Sequence, residues 1–331
     1  MKVSDVVQRD MVLAEAVLLH GLGVVPISAG GAVDLPVIDL LDEAMGRGSV
    51  RITETTEAGE VPFLLLVNEG ERPVLILEGE ELVGGKQNRI VNTTLVILPG
   101  SVLKIPVSCM EAGRWATRQE QFDSGKAIFR AKSRALHKRN VSMSLAREGS
   151  FRGEQGAVWE EVQQSLHELR AASPTSDFRA GREQVAHRIE EFVQGLPPLE
   201  GQLGAIFFSQ AGVLGAELLG TPDLFARAYG KIIRSFAFEV LSDPPLESIP
   251  EGLAAHWWSA VLDTNVSLHA SPGVGEDIRC GSGELIGSGL YWRDACVHFS
   301  CFPVNKTLKD SMAPRTRRAS AGERARRLQN R

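Results

Sequence analysis

Between Glu78 and Arg89, directly after an apolar run, the chain places three carboxylates, a glycine pair and four polar side chains in succession, and a solvent loop rarely needs chemistry so mixed. Extended backbone would put Glu78 and Glu80 on one face, about 7 Å apart along the strand, with Glu81 opposite. Two such carboxylates need a lysine, an arginine or a metal beside them. Lys86, Gln87, Asn88 and Arg89 come next, and a second polar group, Glu111, Arg114 and Trp115, closes a later strand. Together these residue types suit an anionic, planar ligand: arginine forks grip phosphate or carboxylate, amides read polar edges, and an indole offers a stacking plate. Glu80 and Glu111 are the candidate catalytic acid and base. Lys86, Gln87, Asn88, Arg89, Arg114 and Trp115 are the candidate ligand-binding residues. The alternative is architectural. Arg89 with Glu111, or Arg114 with Glu80, would then pair to bury polar strand ends, and Gly84 and Gly85 would make only a bend. Cys109 is a nucleophile only if Lys86 or Arg114 lowers its pKa; otherwise it is a small buried hydrophobe.

Strand register must bring the two polar groups together. A tight turn at Leu98 to Ser101 gives cross-strand partners whose numbers sum to 199, so Thr93 faces Pro106, Ile90 faces Cys109 and Asn88 faces Glu111. The strands carrying them are expected at Val50 to Thr53, Phe63 to Asn68, Pro73 to Glu81, Ile90 to Leu98 and Val102 to Cys109, separated by turn-forming residues. Val74 to Leu77 is apolar on both faces, and Pro106 points to an edge strand because proline cannot donate to a ladder. A two-layer, sandwich-like core follows.

Beyond Glu154 the apolar period becomes helical. Trp159, Val162, Leu166 and Leu169 form one stripe, and Val185, Ile189, Phe192 and Val193 another. A hairpin is expected over Gly204 to Ser209 and Val213 to Leu219. A helix capped by Thr221 with Pro222 in its first turn comes next, then a short helix near Ala254 to Leu262 carrying Trp257 and Trp258, then three strands over Asp277 to Phe302. The fold class is therefore α+β. Residues 1–125 form a β-rich unit bearing the polar cluster, 126–305 an α+β portion continuous with it, and 306–331 a basic, flexible tail.

No stretch is long and apolar enough for a membrane helix, and the first ten residues do not resemble an export signal. Four cysteines in 331 residues read as cytoplasmic thiols rather than a disulfide framework. Zinc spacing is missing, and strand alternation would place Cys296 with His298 and Cys301 opposite. No pattern names a cofactor, and the glycines from 281 to 289 lack the strand-then-helix setting of a phosphate loop. The net charge of −5 is unevenly spread: residues 1–113 carry eight basic and sixteen acidic groups, whereas 114–152 carry ten basic and three acidic, and 306–331 nine basic and two acidic. Nucleic acid could use the middle stretch and the tail. A solvated face, or an intramolecular match to the acidic N-terminal portion, explains the same charges and is favoured.

The string from Gly79 to Asn92, followed by Ile105 to Trp115, resembles the hallmark of the ADP-ribosylglycohydrolase- and rhodanese-phosphatase-associated domain family. The regions Ser173 to Thr175, Gly204 to Gly215 and Thr221 to Leu241 are also similar, so the resemblance spans roughly residues 10 to 305. Met110 replaces an expected small aliphatic residue and leaves the polar positions intact. The resemblance implies a prokaryotic setting that involves ADP-ribose or related nucleotide derivatives, and it carries no catalytic assignment. A small anionic, nucleotide-derived ligand is thus the expected partner. The rivals are a non-enzymatic interaction protein and a nucleic-acid binder.

Overall fold

The computed structural model describes residues 1–31, 33–111, 113–117, 119–171, 173 and 175–304. The expected tail, 306–331, lies outside the described residues. Helix α1 (Val3–Val7) leads into strands β1 (Met11–Leu13), β2 (Val17–Leu19), β3 (Leu22–Ala29) and β4 (Asp39–Leu40), then helix α2 (Leu41–Gly46). Eight strands follow: β5 (Val50–Glu54), β6 (Phe63–Asn68), β7 (Val74–Ile76), β8 (Glu80–Gly84), β9 (Arg89–Val91), β10 (Leu95–Ile97), β11 (Val102–Cys109) and β12 (Phe122–Ile128). Helices α3 (Ala131–Glu148), α4 (Gln155–Glu168) and α5 (Phe178–Gly195) precede the hairpin β13 (Gln202–Ser209) and β14 (Gly212–Leu219). Helices α6 (Pro222–Ala237) and α7 (Leu253–Leu262) and strands β15 (Val266–Ala270), β16 (Glu276–Gly281), β17 (Leu285–Trp292) and β18 (Ala295–Pro303) complete an α+β fold. Among the described residues no helix is long and apolar enough to cross a membrane.

Three sheets form. The largest runs β1-β3-β13-β14-β18-β17-β16-β15, with β2 also on β3, so it draws strands from both sides of residue 125. A six-stranded sheet runs β12-β8-β9-β11-β6-β5, and a small one β10-β7-β4, in which β4 and β7 are parallel. The small sheet is the shared layer. Val74 and Ile76 face the core beneath the six-stranded sheet, and Leu75 and Leu77 face the core under α3 to α6, so β7 is buried on both faces as its composition requires. The far face of the large sheet is closed by α1 and α7, where Trp258 is a core residue and Trp257 packs beside it. Capping follows local chemistry. The Thr221 hydroxyl accepts from the Leu224 amide at 3.2 Å, with Pro222 opening α6, and the Asp177 carboxylate accepts from the Arg179 amide at 3.0 Å to start α5.

Several expectations are corrected. Pro73 to Glu81 and Ile90 to Leu98 each divide into two strands in different sheets, and β10 pairs with β7 rather than folding back on β11. β9 does pair with β11, with Arg89 opposite Cys109 and Ile90 opposite Ser108, one residue off the expected register. A bend at Leu77–Glu80, where the Glu80 amide donates to the Leu77 carbonyl, intervenes between Glu78 and Glu80, so they do not share a strand face. β11 is interior rather than an edge: Pro106 falls where its pairing passes from β6 to β9. Cys296 and Cys301 line the same core, because Val297 is an extra residue in β18 that resets the alternation.

Candidate functional site

β9 and the end of β11 bring the two polar segments into contact. The Met110 amide donates to the Asn88 carbonyl at 2.9 Å, and Gln87 Nε2 donates to the Glu111 carbonyl at 2.6 Å. Gly85 turns the chain in the left-handed region (φ 48°), where an added Cβ would run into the Phe122 ring; this is why a glycine pair ends β8. Arg114 then ties the turn shut. Its Nε reaches Glu111 Oε2 at 2.8 Å, its Nη1 donates to the Gly85 and Ala116 carbonyls at 2.8 Å each, and its Nη2 meets Asn88 Oδ1 at 3.3 Å. Asn88 Nδ2 donates to Asp177 at 3.2 Å, linking the turn to the start of α5. Gln87, Asn88, Glu111 and Arg114 are all buried. Burial raises the Glu111 pKa, but hydrogen bonds from Arg114 and Thr175 outweigh it and the net shift is downward. Glu111 is therefore an acceptor, ill suited to act as a general acid at neutral pH. The Cys109 thiol is pushed up to about 11 by burial, against the pull of Arg89, so the hydrophobe reading fits it.

Arg89 differs from Arg114. Its side chain is fully buried, Nη1 is hydrogen-bonded to the Gln87 carbonyl and Oε1, and neither Nε nor Nη2 has a hydrogen-bond partner among the described residues. The nearest carboxylate, Glu54, lies 3.8 Å from Nη2. Trp115, 48% exposed, lies with its ring centroid 5.7 Å from the Arg89 guanidinium carbon and 5.7 Å from Lys86 Nζ. Lys86 Nζ donates to the Ala58 carbonyl at 2.9 Å, which holds it on the rim.

Residues 10–302 match the family model described as the ARG and Rhodanese-Phosphatase-superfamily-associated Protein domain. The chain belongs to that family. Neither a curated protein nor a solved structure gives a match. In this family member the two N-terminal motifs noted in the sequence are the strands and turns that build the Arg89–Arg114 cluster.

Glu80 stands apart from that cluster. It is paired with Lys231 of α6, which also binds Asp42 at 2.6 Å, and its other oxygen accepts from the Leu77 amide at 3.0 Å. Burial, only partly offset by Lys231, raises its pKa. Glu81 turns instead to Arg182 of α5 at 2.6 Å. Glu80 and Glu111 share no partner, so they do not form an acid–base couple across one ligand. Among the described residues no group of acids, histidines and cysteines is arranged to hold a metal ion.

Sequence reasoning missed a polar network inside this domain, between α3 and the large sheet. Lys138 binds Glu78, Ser288 and Ser300. Arg134 forks onto Glu217 at 2.8 and 3.1 Å, and Glu217 also meets His298 at 2.8 Å. Arg279 holds Asp277 at 2.5 Å and Thr93 at 2.8 Å. Burial raises the Glu78 pKa, yet Lys138, Arg134 and Arg279 overcome it and hold it at about 2. His137, on the same helix, meets Asn92 Oδ1 at 3.0 Å, and its Nδ1 has no hydrogen-bond partner among the described residues. Burial lowers its pKa from 6.5 to about 4. The folded state therefore keeps His137 neutral while the unfolded chain takes up a proton below about 6.5. Its contribution to stability should be full above that pH and fall by roughly 1–3 kcal/mol as pH drops from 6.5 to 4. His137→Gln should flatten that limb in urea titrations run across this range; a slope identical to the parent protein's would refute the assignment.

Five of the cations in the basic stretch 114–152 are consumed in ion pairs: Arg114 with Glu111, Arg130 with Glu239, Lys132 with Glu168, Arg134 with Glu217 and Lys138 with Glu78.

Proposed function

We propose that this protein binds a small anionic, nucleotide-derived ligand of the ADP-ribose type, with Arg89 as the anion donor, Trp115 as the stacking plate and Lys86 as a second cation at the rim. The observation that carries the reading is the half-satisfied Arg89 guanidinium. A buried charge with two unpartnered nitrogens costs several kcal/mol by general experience and is tolerated where a ligand completes it. Glu54, at 3.8 Å, compensates it only loosely. Exposure of Trp115 directly over this group supports entry from its side, with the indole swinging off Arg89 to stack on the ligand's ring. Gln87, Asn88, Glu111 and Arg114 hold Arg89 and the turn in place rather than touching ligand.

Thermal-shift and calorimetric titration with ADP-ribose, ADP and pyrophosphate tests this. A ligand at a hundred times its Kd should add about 2.7 kcal/mol to the folded state. Trp115→Ala, at an exposed position, should leave the unliganded melting temperature unchanged and weaken binding by about tenfold or more, as loss of one stacking contact does. No stabilisation by any of the three, or equal binding by Trp115→Ala, removes the proposal. The rival, that the cluster is purely architectural, draws on the saturation of Arg114 and predicts that outcome. Nucleic-acid binding through 114–152 has less support, because half of its ten cations are already neutralised inside the fold.

A further inference from the structure

Helices α5 and α6, strand β12 and Asp42 of α2 border an open cavity of about 390 Å³ lined by none of the Arg89 cluster. Its walls follow from helical spacing. Arg182 and Ala186 lie four residues apart on α5, and Arg227, Gly230, Lys231 and Arg234 recur at three and four residues on α6. Ala186 and Gly230 sit in the middle of these stripes, so the helices leave room where larger side chains would close it. The third wall is an irregularity. β12 slips register against β8 between Ser124 and Ile128, and Lys126 takes a left-handed conformation (φ 51°), which a lysine adopts only at a cost of roughly 1–2 kcal/mol. Next to it, an added Cβ on Gly125 would strike the buried Glu81 carboxylate, so only glycine fits there, and Lys126 follows on the cavity wall.

Five cations and three carboxylates line the space. Lys231 is committed to Asp42 and Glu80, and Arg227 to Glu43, Asp223 and the Ile38 carbonyl. Arg182 gives Nη1 to Glu81 and reaches the Gly125 carbonyl with Nη2 only at 3.5 Å. Arg234 gives Nε and Nη2 to Glu190 and keeps Nη1, and the Lys126 ammonium meets no partner among the described residues. We infer that this cavity binds a phosphate monoester, held by Lys126 from β12, Arg234 from α6 and Arg182 from α5, whose long contact to the Gly125 carbonyl the ester would replace. Donors arriving from three separate elements match the three terminal oxygens of a tetrahedral dianion better than the two of a planar carboxylate. The volume falls within the usual range for small-molecule sites.

The test is calorimetry with glycerol 3-phosphate, with succinate at equal ionic strength as a dianion whose charges lie on two planar carboxylates rather than one tetrahedral group. Saturable binding is expected for the phosphate ester, with succinate weaker. Lys126→Ala should weaken the phosphate ester by about tenfold, the scale of one charge-assisted contact. Ala186→Leu, at an exposed mid-stripe position, should block it by filling the space. Trp115→Ala should bind as the parent protein does, which separates this site from the Arg89 proposal, so either can fail alone. No saturable heat at millimolar ester, equal affinity for succinate, or unchanged binding in both Lys126→Ala and Ala186→Leu overturns the inference.

Discussion

Lys138→Ala is expected to lower folding stability by about 3–5 kcal/mol, the usual cost of deleting one partner of a buried ion pair. The lysine is the hub between α3 and the large sheet: its ammonium binds the Glu78 carboxylate of the β7–β8 bend, Ser288 of β17 and Ser300 of β18, and all four side chains are buried. Without it Glu78 loses its closest cation, and Ser288, whose hydroxyl donates to the same carboxylate at 2.5 Å, is left as its main support. Urea unfolding should show a lower midpoint at an unchanged slope. Lys138→Met combined with Glu78→Gln should recover part of the loss, because neither charge is then orphaned. A single variant within 1 kcal/mol of the parent would show that the pair is dispensable.

Arg114→Ala should cost about 2–4 kcal/mol, since it strips the counter-charge from Glu111 and leaves the Gly84, Gly85 and Ala116 carbonyls without their donor. Arg114→Lys should recover little, because a single ammonium cannot replace a planar fork that serves five acceptors. Urea melts of both variants beside Trp115→Ala make the comparison. Near-parental stability for Arg114→Ala would move Arg114 out of the framework and back among the ligand-binding candidates.

The strands around the candidate site were legible because their apolar runs end in glycine, proline and asparagine turns, and α4 to α6 were legible because their buried stripes are apolar. α3 was not, for a physical reason. Its inward face carries Arg134, His137 and Lys138, so the charged residues that look solvated in sequence are the ones the fold buries. The one-residue register error between β9 and β11 arose from treating 98–101 as a hairpin turn, when β10 leaves to pair with β7. Pairwise contact of Lys86–Arg89 with Glu111–Trp115 survives that error, because the two segments still run side by side. The separation of Glu80 from Glu111 was not readable, since it depends on Lys231, which lies about 150 residues further on and whose carboxylate partners no local pattern announces. Likewise Val297, an extra residue in β18, shows no local signal of the bulge that returns Cys296 to the side of Cys301.

Val25 in β3 finds its neighbour in Ile206 of β13, and Leu218 of β14 finds Phe299 of β18. A nascent chain can therefore pair β1 and β2 with β3 as soon as they emerge, but the other edge of β3 waits for β13, and β14 waits for β18, nearly the end of the described chain. Such distant closure makes for slow folding and leaves the second edge of β3 unpaired through much of synthesis, a template for pairing with another copy until β13 covers it.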